Sequence, residues 1–224
     1  MTRAQIARLI DHTQLRAYAT EVDIRELCDE ALQENFRAVS INPVWVAYCA
    51  KRLAGTRIAV NACIGFPLGA STAHIKVEEA KDAARNGANE IDMVINIGAL
   101  KSNYGAFVEK EIAAVTRAVK GIPVKVILET AYLTREEKIA VCQMAGRAGA
   151  AYVKTSTGFG PEGAHADDVR LMKQVVGDRL GIKAAGGIRT FDDLLVMIEA
   201  GATCVGTSSG IEILDQAEQY GPIE

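Results

Sequence analysis

The sequence predicts an α/β fold, a single closed (β/α)8 TIM barrel covering residues 1–224. Three observations predict it. Eight short apolar runs alternate with helix-period segments along the whole chain, and no Pro- or Ser-rich linker divides them. Gly-x-Gly-x-x-Gly, which would favour the alternative of an open doubly wound sheet, does not follow the first run. Lysines at 154 and 183 recur one strand–helix repeat apart, each ending a short β-like run.

The strands are expected at Leu9–His12, Ala38–Asn42, Ile58–Ile64, Glu90–Ile95, Val124–Glu129, Tyr152–Thr155, Gly181–Ala184 and Cys204–Gly206. Several are apolar at both alternating positions, as suits parallel strands covered by helices. Between the first two, Val22–Glu34 reads as a helix with Ile24, Leu27, Cys28 and Leu32 on one stripe. Thr134-x-x-Glu137 is a capping box opening a helix over Arg135–Arg147. Thr20 and Thr190, each three residues before an aspartate, are weaker starts of the same kind. Gly87, Gly149 and Gly201 each close a helix in an (Asn/Ala)-Gly-Ala segment, where a left-handed residue is favoured. Five positions after each, well into the next strand, stand Asp92, Lys154 and Gly206, and the shared phase brings Asp92 and Lys154 to similar depths. A short C-terminal tail is expected from about residue 219.

Composition narrows the partners. With 49% hydrophobic and 24% charged residues, the chain can bury a substantial core. A net charge of −3 and the lack of a basic cluster interleaved with aromatics argue against nucleic acid. No apolar run approaches a membrane span, and the N-terminus lacks the apolar core of a signal peptide. Five scattered cysteines without a Cys-x-x-Cys pair suggest reduced thiols in a cytoplasmic protein. Three dispersed histidines offer no metal-ligand spacing, so no metal and no cofactor is expected.

In a barrel, function gathers at the C-terminal strand ends. Lys154 is the candidate nucleophile there. An ordinary lysine, with a pKa of about 10.4, is protonated at neutral pH. Neighbouring strands lie about 4.8 Å apart, so inward ammonium groups at 154 and 183 would repel and depress at least one pKa. Asp92 can orient an amine or relay protons through water with Thr157. These groups suit Schiff-base chemistry. Lys125 either joins the cluster or pairs with Glu129. Gly158, Gly186-Gly187 and Gly206-Thr-Ser-Ser-Gly210 follow strands six, seven and eight, and Ser208 and Ser209 add hydroxyls. Such loops make a phosphate cradle. Arg189 would add charge, but its expected place inside the next helix counts against it.

These residues resemble one family, the 2-deoxyribose-5-phosphate aldolases. The resemblance rests on Leu-Ile-Asp-His-Thr (9–13), Ile-Gly-Phe-Pro-Leu-Gly (64–69), Glu-Ile-Asp-Met-Val-Ile-Asn (90–96), Lys-Val-Ile-Leu-Glu-Thr (125–130), Val-Lys-Thr-Ser-Thr-Gly (153–158) and Lys-Ala-Ala-Gly-Gly-Ile-Arg (183–189). It implies that Lys154 forms the Schiff base, that Lys183 keeps it reactive, and that Asp92 serves a proton relay with Thr157 and Asp11. Gly158, Gly186, Gly187, Ser208 and Ser209 match the family's phosphate-binding positions. The implied reaction is metal-free, reversible cleavage of 2-deoxy-D-ribose 5-phosphate to D-glyceraldehyde 3-phosphate and acetaldehyde. The resemblance further implies a homodimer or homotetramer and a role in deoxynucleoside breakdown. Ser40 stands where many relatives carry cysteine, which would remove a thiol able to add to aldehydes. Some relatives place a terminal tyrosine near the site, a position to compare with Tyr220. The rival readings are a Schiff-base aldolase for another sugar phosphate and a non-catalytic sugar-phosphate-binding barrel.

Overall fold

Eight parallel strands close on themselves in sequence order, with β8 returning to β1, in a computed structural model that describes residues 1–220, excluding the Tyr220 side chain. In chain order the elements are α1 (Arg3–Ala7), β1 (Ile10–Gln14), α2 (Glu21–Glu34), β2 (Ala38–Ile41), α3 (Val46–Arg52), β3 (Ala59–Ile64), α4 (Ala73–Arg85) and β4 (Glu90–Val94). There follow α5 (Ile97–Lys101), α6 (Gly105–Ala118), β5 (Val124–Ile127), α7 (Arg135–Arg147), β6 (Tyr152–Lys154), α8 (Ala166–Val176), β7 (Gly181–Ala185), α9 (Phe191–Glu199), β8 (Cys204–Thr207) and α10 (Gly210–Tyr220). The expected strands are all present, and the closed order excludes the open sheet. Residue 219 lies within α10, so the described chain is still helical where a tail was expected.

Alternation along the strands splits the barrel into two unlike layers. Ile10, Val39, Ile41, Val60, Ala62, Ile91, Met93, Val126, Val153, Ile182 and Val205 belong to the apolar core between sheet and helices. The intervening positions carry Asp11, Ser40, Asn61, Asp92, Lys125, Lys154 and Lys183, all buried. Strands expected to be apolar on both faces therefore have one apolar and one ionic face. Side chains of opposite charge meeting inside the barrel make the polar face tolerable.

Helix starts follow the sequence closely. Thr134 forms its capping box with Glu137, and Thr20 and Thr190 form equally complete boxes with Asp23 and Asp193. The α2 stripe needs one correction: Ala31 is buried, whereas Leu32 is 41% exposed. Seven residues from Ile24, two helical turns, lead to position 31, so Leu32 falls off the stripe. Gly87, Gly149 and Gly201 all have positive φ and turn the chain back towards the sheet.

Candidate active site

Lys154 and Lys183 are direct register partners on β6 and β7. Their ammonium nitrogens converge on one oxygen: Asp92 Oδ2 lies 2.8 Å from Lys154 Nζ and 2.9 Å from Lys183 Nζ. Asp92, from β4, reaches across the barrel interior and is fully buried. Burial alone would raise its pKa, but Lys154, Lys183 and Lys125 overcome this and hold the carboxyl well below the usual range. Asp92 is thus an ionised anchor for two amines.

A second ionic layer supports the first. Asp11 on β1 places Oδ2 2.6 Å from Lys183 Nζ, and its other oxygen is 2.5 Å from Arg37. Ser40 Oγ accepts from Lys183 Nζ at 3.2 Å and from Asn61 at 2.8 Å. Burial disfavours charge on Lys183, yet Asp11 and Asp92 more than offset it and hold the amine above the ordinary lysine value. Lys125 belongs to this layer. It donates to Glu90 Oε2 at 2.5 Å and Asn61 Oδ1 at 3.0 Å, and lies 3.3 Å from Asp92 Oδ1. Pairing of Lys125 with Glu129 is not found, because Glu129 lies beyond the strand and turns to Thr157 instead. Asp11 sits beneath the site, clamping Lys183, and does not line the open cavity.

That cavity opens at the C-terminal strand ends. Lys154 lines it, while Lys183 and Asp92 lie below. Thr157, Gly158, Gly186, Gly187 and Ser208 line the same space, and Ser209 does not. Ser209 instead donates its N–H to Thr207 and accepts from Ile213 at the start of α10. Gly158, Gly186 and Gly187 have φ of 85°, 91° and 78°, the left-handed conformation that only glycine adopts freely. At Gly186 a Cβ would stand 3.0 Å from Gly163 Cα, so these loops touch through bare backbone. Gly206 has another purpose: a Cβ there would lie 3.0 Å from Lys183 Cε, the space through which the lysine stem passes. Arg189 precedes the Thr190 cap, outside α9, and lines the cavity together with Arg16. The expectation that Arg189 sits within the helix is therefore corrected.

The family model for DeoC/LacD family aldolases matches residues 6–216. The chain belongs to the DeoC/LacD aldolases. It is 51% identical to a deoxyribose-phosphate aldolase of Enterococcus faecalis, over 97% of this chain and 99% of that one. It is 52% identical to the enzyme of that name from Thermococcus kodakarensis, with the same coverage of each chain. The deoxyribose phosphate aldolase of Aeropyrum pernix, described as a unique tetrameric structure, superposes with a TM-score of 0.91 at 32% identity, covering 98% of this chain and 93% of that one.

Sequence reasoning missed two features of this aldolase site. Arg16 follows β1 and carries no motif, so only the closed barrel reveals its place at the rim. Glu129, expected at the end of the fifth strand, instead adopts a left-handed backbone with φ 56°, and its carboxylate is buried against Thr157. Tyr220 lies outside the described side chains. Among the described residues, no helix is long and apolar enough to cross a membrane, and no group of His, Cys, Asp or Glu is placed to hold a metal ion.

Proposed function

We propose that this lyase cleaves 2-deoxy-D-ribose 5-phosphate reversibly to D-glyceraldehyde 3-phosphate and acetaldehyde, with Lys154 as the Schiff-base residue. The single observation that carries the assignment of residues is the sharing of Asp92 Oδ2 by two lysines of which only Lys154 opens on the cavity. Two ammonium groups on one oxygen repel, and Lys183, held also by Asp11, is the one kept charged. Lys154, the one of the two that opens on the cavity, is the amine placed for attack.

Neutral Lys154 Nζ adds to C1 of the open-chain sugar, and loss of water gives an iminium ion. As a base in the site takes the proton of the C3 hydroxyl, the C2–C3 bond breaks and its electron pair flows into the iminium. D-glyceraldehyde 3-phosphate leaves, and the enamine is protonated at C2. Water then releases acetaldehyde and free Lys154. Asp92, held ionised, orients the amines and stabilises positive charge at the iminium. The remote phosphate fits the Gly158, Gly186-Gly187 and Ser208 cradle beside Arg189, and its binding aligns C1 with Lys154.

Borohydride added with acetaldehyde should fix an ethyl group on Lys154, located by peptide mass. An unlabelled Lys154, or full cleavage activity in Lys154→Leu, would overturn the reading. Chain and barrel are read as one domain over 1–224, and free thiols at all five cysteines suit a cytoplasmic setting. We further propose a homo-oligomer, a reading supported by the tetrameric structure of the Aeropyrum pernix relative. Sedimentation should give a dimer or tetramer; a monomer at micromolar concentration would rule this out.

A further inference from the structure

Glu129 forms no ion pair with the lysines, although Lys154 is near enough to act on its charge; it is 2% exposed and its backbone is left-handed, with φ 56° and ψ 67°. A bulky residue rarely adopts that conformation unless its surroundings enforce it. Here the chain leaving β5 keeps pairing with β6 on either side of it: Leu128 N–H donates to Lys154 O at 2.9 Å and Thr130 N–H to Thr155 O at 3.1 Å. The left-handed step between those bonds accompanies a side chain turned onto Thr157. Both carboxylate oxygens lie 3.3 Å from Thr157 N, and Thr157 Oγ1 donates to Oε2. From the other side Gly160 closes over the carboxylate so tightly that a Cβ would lie 3.0 Å from Glu129 Cδ.

This clamp decides what Thr157 can do. A threonine hydroxyl has one proton and two lone pairs. The proton goes to Glu129, and one lone pair accepts the Phe159 N–H at 3.0 Å. One lone pair and no proton remain for the cavity that Thr157 lines with Lys154. We propose that Glu129 is a positioning residue of the aldol cleavage, acting through Thr157: it makes that hydroxyl a fixed hydrogen-bond acceptor beside Lys154. In this arrangement Thr157 orients a water or substrate hydroxyl by accepting its hydrogen. It does not itself release a proton. The inference rests on the aldolase reading above.

Glu129→Gln tests the polarity with little change of shape. The amide has one acceptor oxygen where the clamp uses two, and its N–H groups face a donor. With 2-deoxy-D-ribose 5-phosphate, kcat should fall about 10- to 100-fold while KM stays within about threefold. Thr157→Val should lose a similar factor, and the double variant should be within about threefold of the worse single one. Glu129→Asp should recover part of the loss. Gly160→Ala, which presses on the carboxylate without changing its charge, should also lower kcat and serves if Glu129→Gln fails to fold.

Multiplying losses in the double variant, a loss confined to KM, or Glu129→Gln within about threefold of the parent would overturn the proposal. Borohydride trapping with acetaldehyde separates the two readings. If the parent neither cleaves nor labels at Lys154, the aldolase assignment fails. If it does both and the variants match it, only the role of Glu129 fails.

Discussion

At residue scale, the environment of Lys183 gives position 40 a chemical meaning. Ser40 Oγ accepts a hydrogen bond from Lys183 Nζ, so a thiol placed there would lie beside an ammonium group. A neighbouring cation promotes the thiolate, the form that adds to aldehydes. Two thiols already near the cluster, Cys63 and Cys204, make no hydrogen bond to its ammonium groups, and burial, the leading cause, pushes them up to about 11 and about 12. Ser40→Cys should therefore make the enzyme more sensitive to concentrated acetaldehyde, with a half-life shortened several-fold and an adduct at position 40 by peptide mass. Equal survival of parent and variant would show that Ser40 has no protective role.

At the scale of elements, the fold was legible because strand period, helix stripes and turn glycines agree locally. Thr134-x-x-Glu137 opened the expected helix, and the positive φ of Gly149 ended it near the expected place. Lys154 and Lys183 could be put on neighbouring strands by repeat length, and the observed register makes them direct partners. Their shared oxygen was not legible, since a period of two gives the face of a residue but not its reach across a barrel. Arg37 illustrates the limit. It lies just before β2, outside every motif in the sequence, and bridges Asp11 and Glu90 inside the barrel. The same holds for Lys76 and Glu111, on α4 and α6, which pair at 2.9 Å behind the sheet with neither side chain exposed. Tertiary closure alone brings such partners together.

At the scale of the whole molecule, the charged interior links stability to pH. Asp11 and Asp92 both have folded pKa values below the ordinary carboxylate value, against the opposing effect of burial, because Lys183 and Lys125 act on both, with Arg37 beside Asp11 and Lys154 beside Asp92. Above the unfolded value of about 3.9 their contribution is fully present. As pH falls below it, the unfolded chain takes up protons that the folded barrel refuses, and stability declines until the folded carboxyls titrate. Lys183 and Lys125 act at the other limit. Both are raised despite burial, so their contribution is complete below about pH 10.4 and is lost as pH rises through the folded values. Glu111 and Glu129, raised by burial, oppose the acid loss in part. The thermal midpoint should accordingly hold through neutrality and fall steeply below about pH 4. Asp11→Asn should melt lower than the parent at pH 7, because Lys183 and Arg37 lose a partner, but with a shallower decline in acid. A parent midpoint that stays level down to about pH 2 would mean that the buried carboxylates are not held ionised by the lysines.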